Sequence, residues 1–290
     1  MKASTKGWIN GFLGVVIFSL SLPATRVAVA DFDPVFLTVA RASIAGLIGI
    51  ALLVIFRETR PKTSQVWSLV IVALGVVVGF PLLTAMALQS ITSAHSTVYI
   101  GLLPLATAIF GVLRGGEKPS PAFWFFSCLG SAFVAGFAAY ESGSSFALGD
   151  VYMLGAIIVC GLGYAEGAKL SRVLGGWQVI SWALIVALPV MAALTLWRWP
   201  TSFASVSTAA WLGLAYVSVF SMMIGFVFWY RGLALGGIAA VGQLQLLQPF
   251  MALGWASLLL GEEVSPIMIV VTIAVVACVA GTRKFGSTVR

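Results

Sequence analysis

Ten apolar runs, each close to twenty residues long, divide this 290-residue chain with little left over. A helix needs about 20 mostly apolar residues to cross the hydrocarbon of a bilayer. Measured against that length, candidate spans lie near 7–30, 34–56, 64–88, 93–113, 119–140, 147–169, 177–197, 207–230, 236–260 and 264–283. Asp33-Pro34, Arg60-Pro61, Lys118-Pro119, Trp199-Pro200 and Ser265-Pro266 punctuate the breaks. Only 9% of the residues are charged and 60% are apolar, with mean hydropathy +1.07. A soluble domain carries about a quarter charged residues and could not hide this much apolar surface. The solvent that accepts it is lipid. Met1 to Asp31 has a basic start and an Ala-Val-Ala run that resemble a signal peptide. Pro23 and Arg26 fit that reading poorly, and the segment is read as the first span.

The net charge of +7 would suggest nucleic acid in a soluble protein. Here Lys and Arg gather in short loops on one side. With the amino terminus in the cytoplasm, that side holds Lys2, Lys6, Arg57, Arg60, Lys62, Arg114, Lys118, Lys169, Arg172, Arg231, Arg283, Lys284 and Arg290, thirteen of the sixteen. Arg198 lies outside, and Arg26 and Arg41 sit in the outer parts of the first two spans. The positive-inside bias therefore predicts both termini in the cytoplasm of a cell-membrane protein. No nucleic-acid partner is expected. Cys128, Cys160 and Cys278 show neither disulfide nor zinc spacing.

Sliding the chain along itself by 145 residues aligns two halves. Leu102, Pro104, Leu113, Gly116, Glu117, Ser120 and Pro121 fall on Leu247, Pro249, Leu258, Gly261, Glu262, Ser265 and Pro266. Ala132, Val134, Ala135 and Gly136 fall on Ala277, Val279, Ala280 and Gly281. These are eleven identities in the 35 positions 102–136, where composition alone gives about three. Residues 1–145 and 146–290 are thus expected to be two five-helix repeats. Five is odd, so the second enters the membrane inverted. The basic Arg114 and Lys118 correspond to Leu259 and Glu263, as that inversion requires. Inverted repeats mark secondary transporters, with the substrate site near the midplane between the halves.

The duplicated plan, the Gly-Glu-x-x-Ser-Pro signature at 116–121 and 261–266, and Pro104 and Pro249 resemble the drug/metabolite transporter superfamily, EamA branch. Ser19-Leu-Ser-Leu-Pro-Ala-Thr-Arg26 and Gly175-Gly-Trp-Gln-Val-Ile-Ser-Trp182 are most similar to the YddG-type aromatic amino-acid exporters. The resemblance covers the whole chain. It implies an all-α membrane protein with ten transmembrane helices around a central cavity, exporting amino acids or related metabolites by alternating access.

Polar residues in apolar spans are the candidates for function, because each needs a partner in lipid. Arg41 and Arg26 either meet a substrate carboxylate or snorkel to Asp31 and Asp33. His95, the single histidine, either titrates during transport or packs near a helix end. Tyr99, one turn on, offers a ring and a hydroxyl to a cavity wall. Gln243, Gln245 and Gln248 are neutral donors and acceptors suited to a zwitterion or a planar polar ligand. The competing reading is interhelical glue. Tyr99, His95, Gln243, Gln245, Gln248 and Arg41 are accordingly the candidate substrate contacts, with Pro104 and Pro249 as hinges. Glu166 is expected to pair with Lys169, and the remaining acids to sit in loops. With so few buried acids, a facilitator fits better than a proton-driven pump. Phe18, Phe80, Tyr164, Trp182, Tyr216, Trp229 and Tyr230 are expected mostly to face lipid or form belts. The glycine pairs 75/79, 163/167 and 232/236 suit close helix packing.

Gly111 to Lys118 only mimics a phosphate loop, since no strand precedes it. No cofactor or metal is expected. The partners are a small-molecule substrate and membrane lipid, with the protein a monomer or weak oligomer. A multidrug or nucleobase-type carrier of the same fold is the alternative. A lipid-modifying membrane enzyme, which would want clustered acids, histidines or cysteines, and a passive pore or sensor are the readings from other classes.

Overall fold

The computed structural model describes residues 3–87, 90–91, 99–142, 147–260 and 266–285. All regular structure among them is helical. Seven helices are long and apolar enough to cross a membrane: Ser4–Thr25, Pro34–Ile55, Thr63–Thr84, Leu148–Ser171, Gly176–Trp197, Thr208–Gly236 and Pro266–Phe285. Two shorter apolar helices, Leu103–Gly115 and Pro121–Phe137, join them.

In chain order the α-helices are α1 (Ala3–Ser19), α2 (Ser21–Ala28), α3 (Pro34–Ile55), α4 (Thr63–Val72), α5 (Phe80–Ala87), α6 (Leu103–Gly115) and α7 (Pro121–Ser142). They continue with α8 (Leu148–Ser171), α9 (Gly176–Trp197), α10 (Thr208–Ala215), α11 (Gly225–Gly236), α12 (Ile238–Gly242), α13 (Gln248–Leu260) and α14 (Pro266–Phe285). The first expected span breaks after Ser19. Pro23 falls in the first turn of α2, where a missing N–H costs little.

Helix starts repeat with the sequence offset. Positions 3 and 148, 63 and 208, 80 and 225, 103 and 248, and 121 and 266 are each 145 apart. Widened π-turns, Ala73–Gly79 and Tyr216–Ile224, occupy corresponding places between α4 and α5 and between α10 and α11. Packing repeats too. α1 lies on α11, and the helix 145 residues after α1, α8, lies on α5.

Equivalent helices α3 and α9 pack against each other in opposite directions. Ser43 in the middle of α3 bonds Thr195 near the end of α9 at 3.0 Å. At the other end Gln178 donates to Glu58 at 3.1 Å. α7 and α14 are likewise antiparallel, since Ser120 donates to the Phe285 carbonyl and Gly130 faces Cys278.

Small residues allow the closest approaches. A Cβ added at Gly232 would lie 2.5 Å from the Gly11 nitrogen, and one at Gly75 would lie 2.5 Å from the Val159 carbonyl oxygen. The backbones touch there, as TM helices do when dispersion replaces the hydrophobic effect. Gly167 instead leaves room for the Tyr230 ring. The aromatic expectation is corrected. Phe18, Tyr164, Trp229 and Tyr230 are buried in the core, and Phe80, Trp182 and Tyr216 are half-buried. Phe18 packs edge-to-face on Phe226 and Trp229, with Phe18–Phe226 centroids 5.0 Å apart, and Tyr164 on Trp229 at 5.5 Å.

Candidate functional site

The two buried glutamines sit on a tightened turn. Gln243–Leu247 is 3₁₀ rather than α. Pro249 explains it: an α-helical Pro249 would clash with the Gln245 carbonyl and could not donate to it. The Gln248 N–H takes that carbonyl instead, and α13 begins one residue before the proline. Pro104 holds the matching place as the second residue of α6. Both hinge candidates therefore sit in the first turn of an α-helix, where proline is tolerated, and neither kinks a helix interior.

Gln243 is fully buried. Its Nε2 donates to the Pro104 carbonyl at 3.2 Å, joining the two proline segments, while its Oε1 has no partner among the described residues. Gln245 donates through Nε2 to the Tyr164 hydroxyl at 3.3 Å, and its Oε1 is also unpaired. Trp229, packed on Tyr164, leaves its buried Nε1 without an acceptor among the described residues. Cys160 lies one turn before Tyr164 on α8 and is buried. This cluster from α8, α11 and the 3₁₀ turn is an aromatic box with unfilled hydrogen-bonding atoms. The Gln248 side chain is partly buried and makes no hydrogen bond to a described residue.

Arg41 is the eighth residue of α3, roughly 10 Å along the axis from Pro34. Its Nε is shielded from solvent and has no hydrogen-bond partner among the described residues. Tyr99 hydrogen-bonds Asp150 and packs with Ala87, Ile91 and Met153 in a small cluster of its own. It also borders the main core. His95 lies outside the described residues, and so does the side chain of Arg26.

Two expectations about acids are corrected. Glu166, fully buried, pairs with Arg114 at the end of α6 and not with Lys169. Lys169 is exposed, so the two side chains on α8 diverge. Asp150 is not in a loop. It is fully buried in the first turn of α8, accepting the Ala147 N–H at 2.6 Å.

Sequence reasoning missed the role of Glu117, although the motif that carries it was in view. Gly116 takes φ +68 and ends α6 with a left-handed turn that glycine tolerates best. The turn delivers Glu117 to the start of α12, where its two carboxylate oxygens accept the N–H groups of Ile238 at 2.6 Å and Ala239 at 2.8 Å. Arg172 from the α8–α9 loop approaches at 3.4 Å. Ser120 then caps α7, and Pro121 takes its first position. Burial pushes the Glu117 carboxyl up, against the lowering pull of the two N–H groups and Arg172. At the other end of the bundle Asp31 accepts the Ser207 N–H at 2.9 Å and its hydroxyl at 2.5 Å, which hold its carboxyl below the usual range.

A family profile described as EamA-like transporter family matches residues 5–138 and again 147–283. Uncharacterized transporter YdeK of Bacillus subtilis is 64% identical over 285 residues, spanning 98% of this chain and 99% of that protein. Uncharacterized transporter sll0355 of Synechocystis sp. is 22% identical over 271 residues, 86% of this chain and 81% of that one. A crystal structure 18% identical in sequence has a TM-score of 0.81 over 95% of this chain and 97% of its own, a likeness of fold. With two matches that together span nearly its whole length, this membrane-embedded, multi-pass chain belongs to the EamA-like transporter family.

Proposed function

We propose that this transporter exports amino acids or related small metabolites by alternating access, through ten spans arranged as two inverted five-helix repeats at 1–145 and 146–290. Both termini lie in the cytoplasm of the cell (inner) membrane. The equal spacing of helix starts, the antiparallel packing of equivalent helices α3/α9 and α7/α14, and the doubled family match support the repeat.

The observation that carries the substrate reading is the set of buried, unfilled polar atoms: Arg41 Nε, Gln243 Oε1, Gln245 Oε1 and Trp229 Nε1. Unsatisfied groups inside a bundle are costly and are kept where a ligand uses them. An amino acid supplies the complement, with a carboxylate for the guanidinium and an ammonium for the amide oxygens. The apolar box around Tyr164 and Trp229 suits an aromatic side chain. Glu117 on α12, Glu117 with Arg172, and Glu166 with Arg114 tie the cytoplasmic ends of the two halves. In this reading they are the inner gate.

A nucleobase-like cargo is the second reading, favoured by the neutral amide of Gln245 beside the edge-to-face rings of Tyr164 and Trp229. Proteoliposome counterflow with a panel of amino acids and nucleobases, with and without a pH gradient, tests both. Saturable, counterflow-stimulated uptake of an amino acid, weakened by Gln245→Ala, is the expected result. Uptake confined to nucleobases selects the second reading, and absence of saturable flux for both classes overturns the substrate reading.

A further inference from the structure

A crevice of 550 Å³ opens on the bundle's outer surface between the end of α3 and the first half of α9. It lies apart from the polar box. Ile50, Leu53, Val54, Trp182 and Ile185 form its apolar wall, and Arg57, Glu58 and Arg60 stand at its mouth. Val54, Ile55 and Phe56 are more than 60% exposed, so this wall meets lipid. Past the end of α3, Phe56 and Trp177 pack edge-to-face with ring centroids 5.5 Å apart.

The charges at the mouth are unequally engaged. Gln178 donates to Glu58 at 3.1 Å. Arg57 and Arg60 are exposed and pair with no carboxylate among the described residues. Arg57 holds φ +52 at the α3 terminus, where the Glu58 N–H reaches back to the Leu53 carbonyl. Glycine is the usual occupant of that left-handed position, yet a guanidinium stands here. Two arginines against one glutamate leave the mouth with a single positive charge, one phosphodiester's complement.

We propose that this crevice is a binding site for one anionic phospholipid. Its phosphate is forked by Arg57 and Arg60, and an acyl chain lies along Ile50, Leu53, Val54 and Ile185 beside Trp182. A guanidinium presents parallel N–H donors that match phosphate oxygens. Basic pockets between helices at headgroup depth select lipids of this charge. A zwitterionic lipid brings no net charge to cancel, so the site discriminates by headgroup. The proposal needs only that the chain is membrane-embedded and stands apart from the transport reading.

The test is binding to purified full-length protein, which no failure of flux can confuse. Phosphatidylglycerol, phosphatidylcholine and inorganic phosphate are titrated separately in detergent. Melting temperature is followed, and the lipid retained is counted by native mass spectrometry. Phosphatidylglycerol is expected to give a saturable stabilisation and one retained lipid. The double variant Arg57→Gln/Arg60→Gln should weaken its apparent affinity on the order of tenfold. Ile50→Trp, which fills the crevice and keeps both charges, should cause a similar loss, while Lys284→Gln should not. The proposal falls if phosphatidylcholine matches phosphatidylglycerol on the wild type, if the double variant binds like wild type, or if inorganic phosphate alone reproduces the shift.

Discussion

Glu117 is a buried charge and Arg41 a half-buried one with a shielded Nε, and they differ in whether the protein satisfies them. Glu117 has two N–H donors and Arg172; Arg41 Nε has no partner among the described residues. Removing the first therefore costs stability. Glu117→Ala orphans the Ile238 and Ala239 N–H groups, at about 1–3 kcal/mol each, and Glu117→Gln should fall between alanine and wild type in a thermal melt. Arg41→Gln should do the opposite, raising the melting temperature by relieving an unpaired charge while cutting proteoliposome uptake at least about tenfold. A variant that loses both together would make Arg41 a structural residue. The two ties also answer acid with opposite sign. Asp31 titrates below its free value, so its contribution is complete above about pH 4 and is lost as pH falls through the folded value. Glu117 titrates above its free value, so its burial is favoured at low pH and that advantage fades as pH rises through the folded value. Asp31→Asn should therefore lower the melting temperature at neutral pH, by an amount that shrinks as pH falls below about 4.

Among the elements, α1 and α11 pack with no tolerance at all. Gly7 and Gly11 meet Gly232 and Gly236 backbone to backbone, whereas a Cβ at Gly136 would meet nothing within 4 Å. Gly232→Ala should abolish the monodisperse peak in detergent size-exclusion chromatography. Gly136→Ala should elute as wild type and melt no lower, since alanine is the better helix former. Some span boundaries were legible because apolar length and Pro-marked breaks are local properties. The expected span at 34–56 is α3, Pro34–Ile55, and that at 177–197 is α9, Gly176–Trp197. What escaped was set by contacts between distant segments. Periodicity could not reveal the π-turns at 73–79 and 216–224, because widening depends on the helix packed alongside. Nor could it give the partner of Glu166: the i, i+3 rule proposes Lys169, but burial of the α8 face toward α6 selects Arg114. The glutamines were visible as polar residues in an apolar run, while Tyr164, the hydroxyl that Gln245 reaches, looked like one aromatic among many. Glu117 was visible as half of a repeated motif, and only the fold shows that it caps a helix of the other half.

For the whole molecule, both ends of the bundle are tied in this structure. The Asp31–Ser207 contact joins the α2–α3 loop to the start of α10, and Glu117 joins the α6–α7 loop to α12. Each tie links residues more than 120 positions apart, one from each proposed repeat. Alternating access moves one repeat against the other, so in the proposed cycle the two ties release in turn. Holding one permanently should stop the cycle without unfolding the protein. The Asp31–Ser207 tie is the place to do it, because it lies on exposed loops and the side chains already touch. An Asp31→Cys/Ser207→Cys pair, in a background where the exposed Cys128 is replaced by serine, should form a disulfide under mild oxidation. Cross-linked protein should lose net uptake and counterflow together, and reductant should restore both. Each single-cysteine variant should transport with or without oxidant. Undiminished flux through the cross-linked protein would mean that this end does not open during transport, and the exchange would then have to proceed without relative movement of the loops.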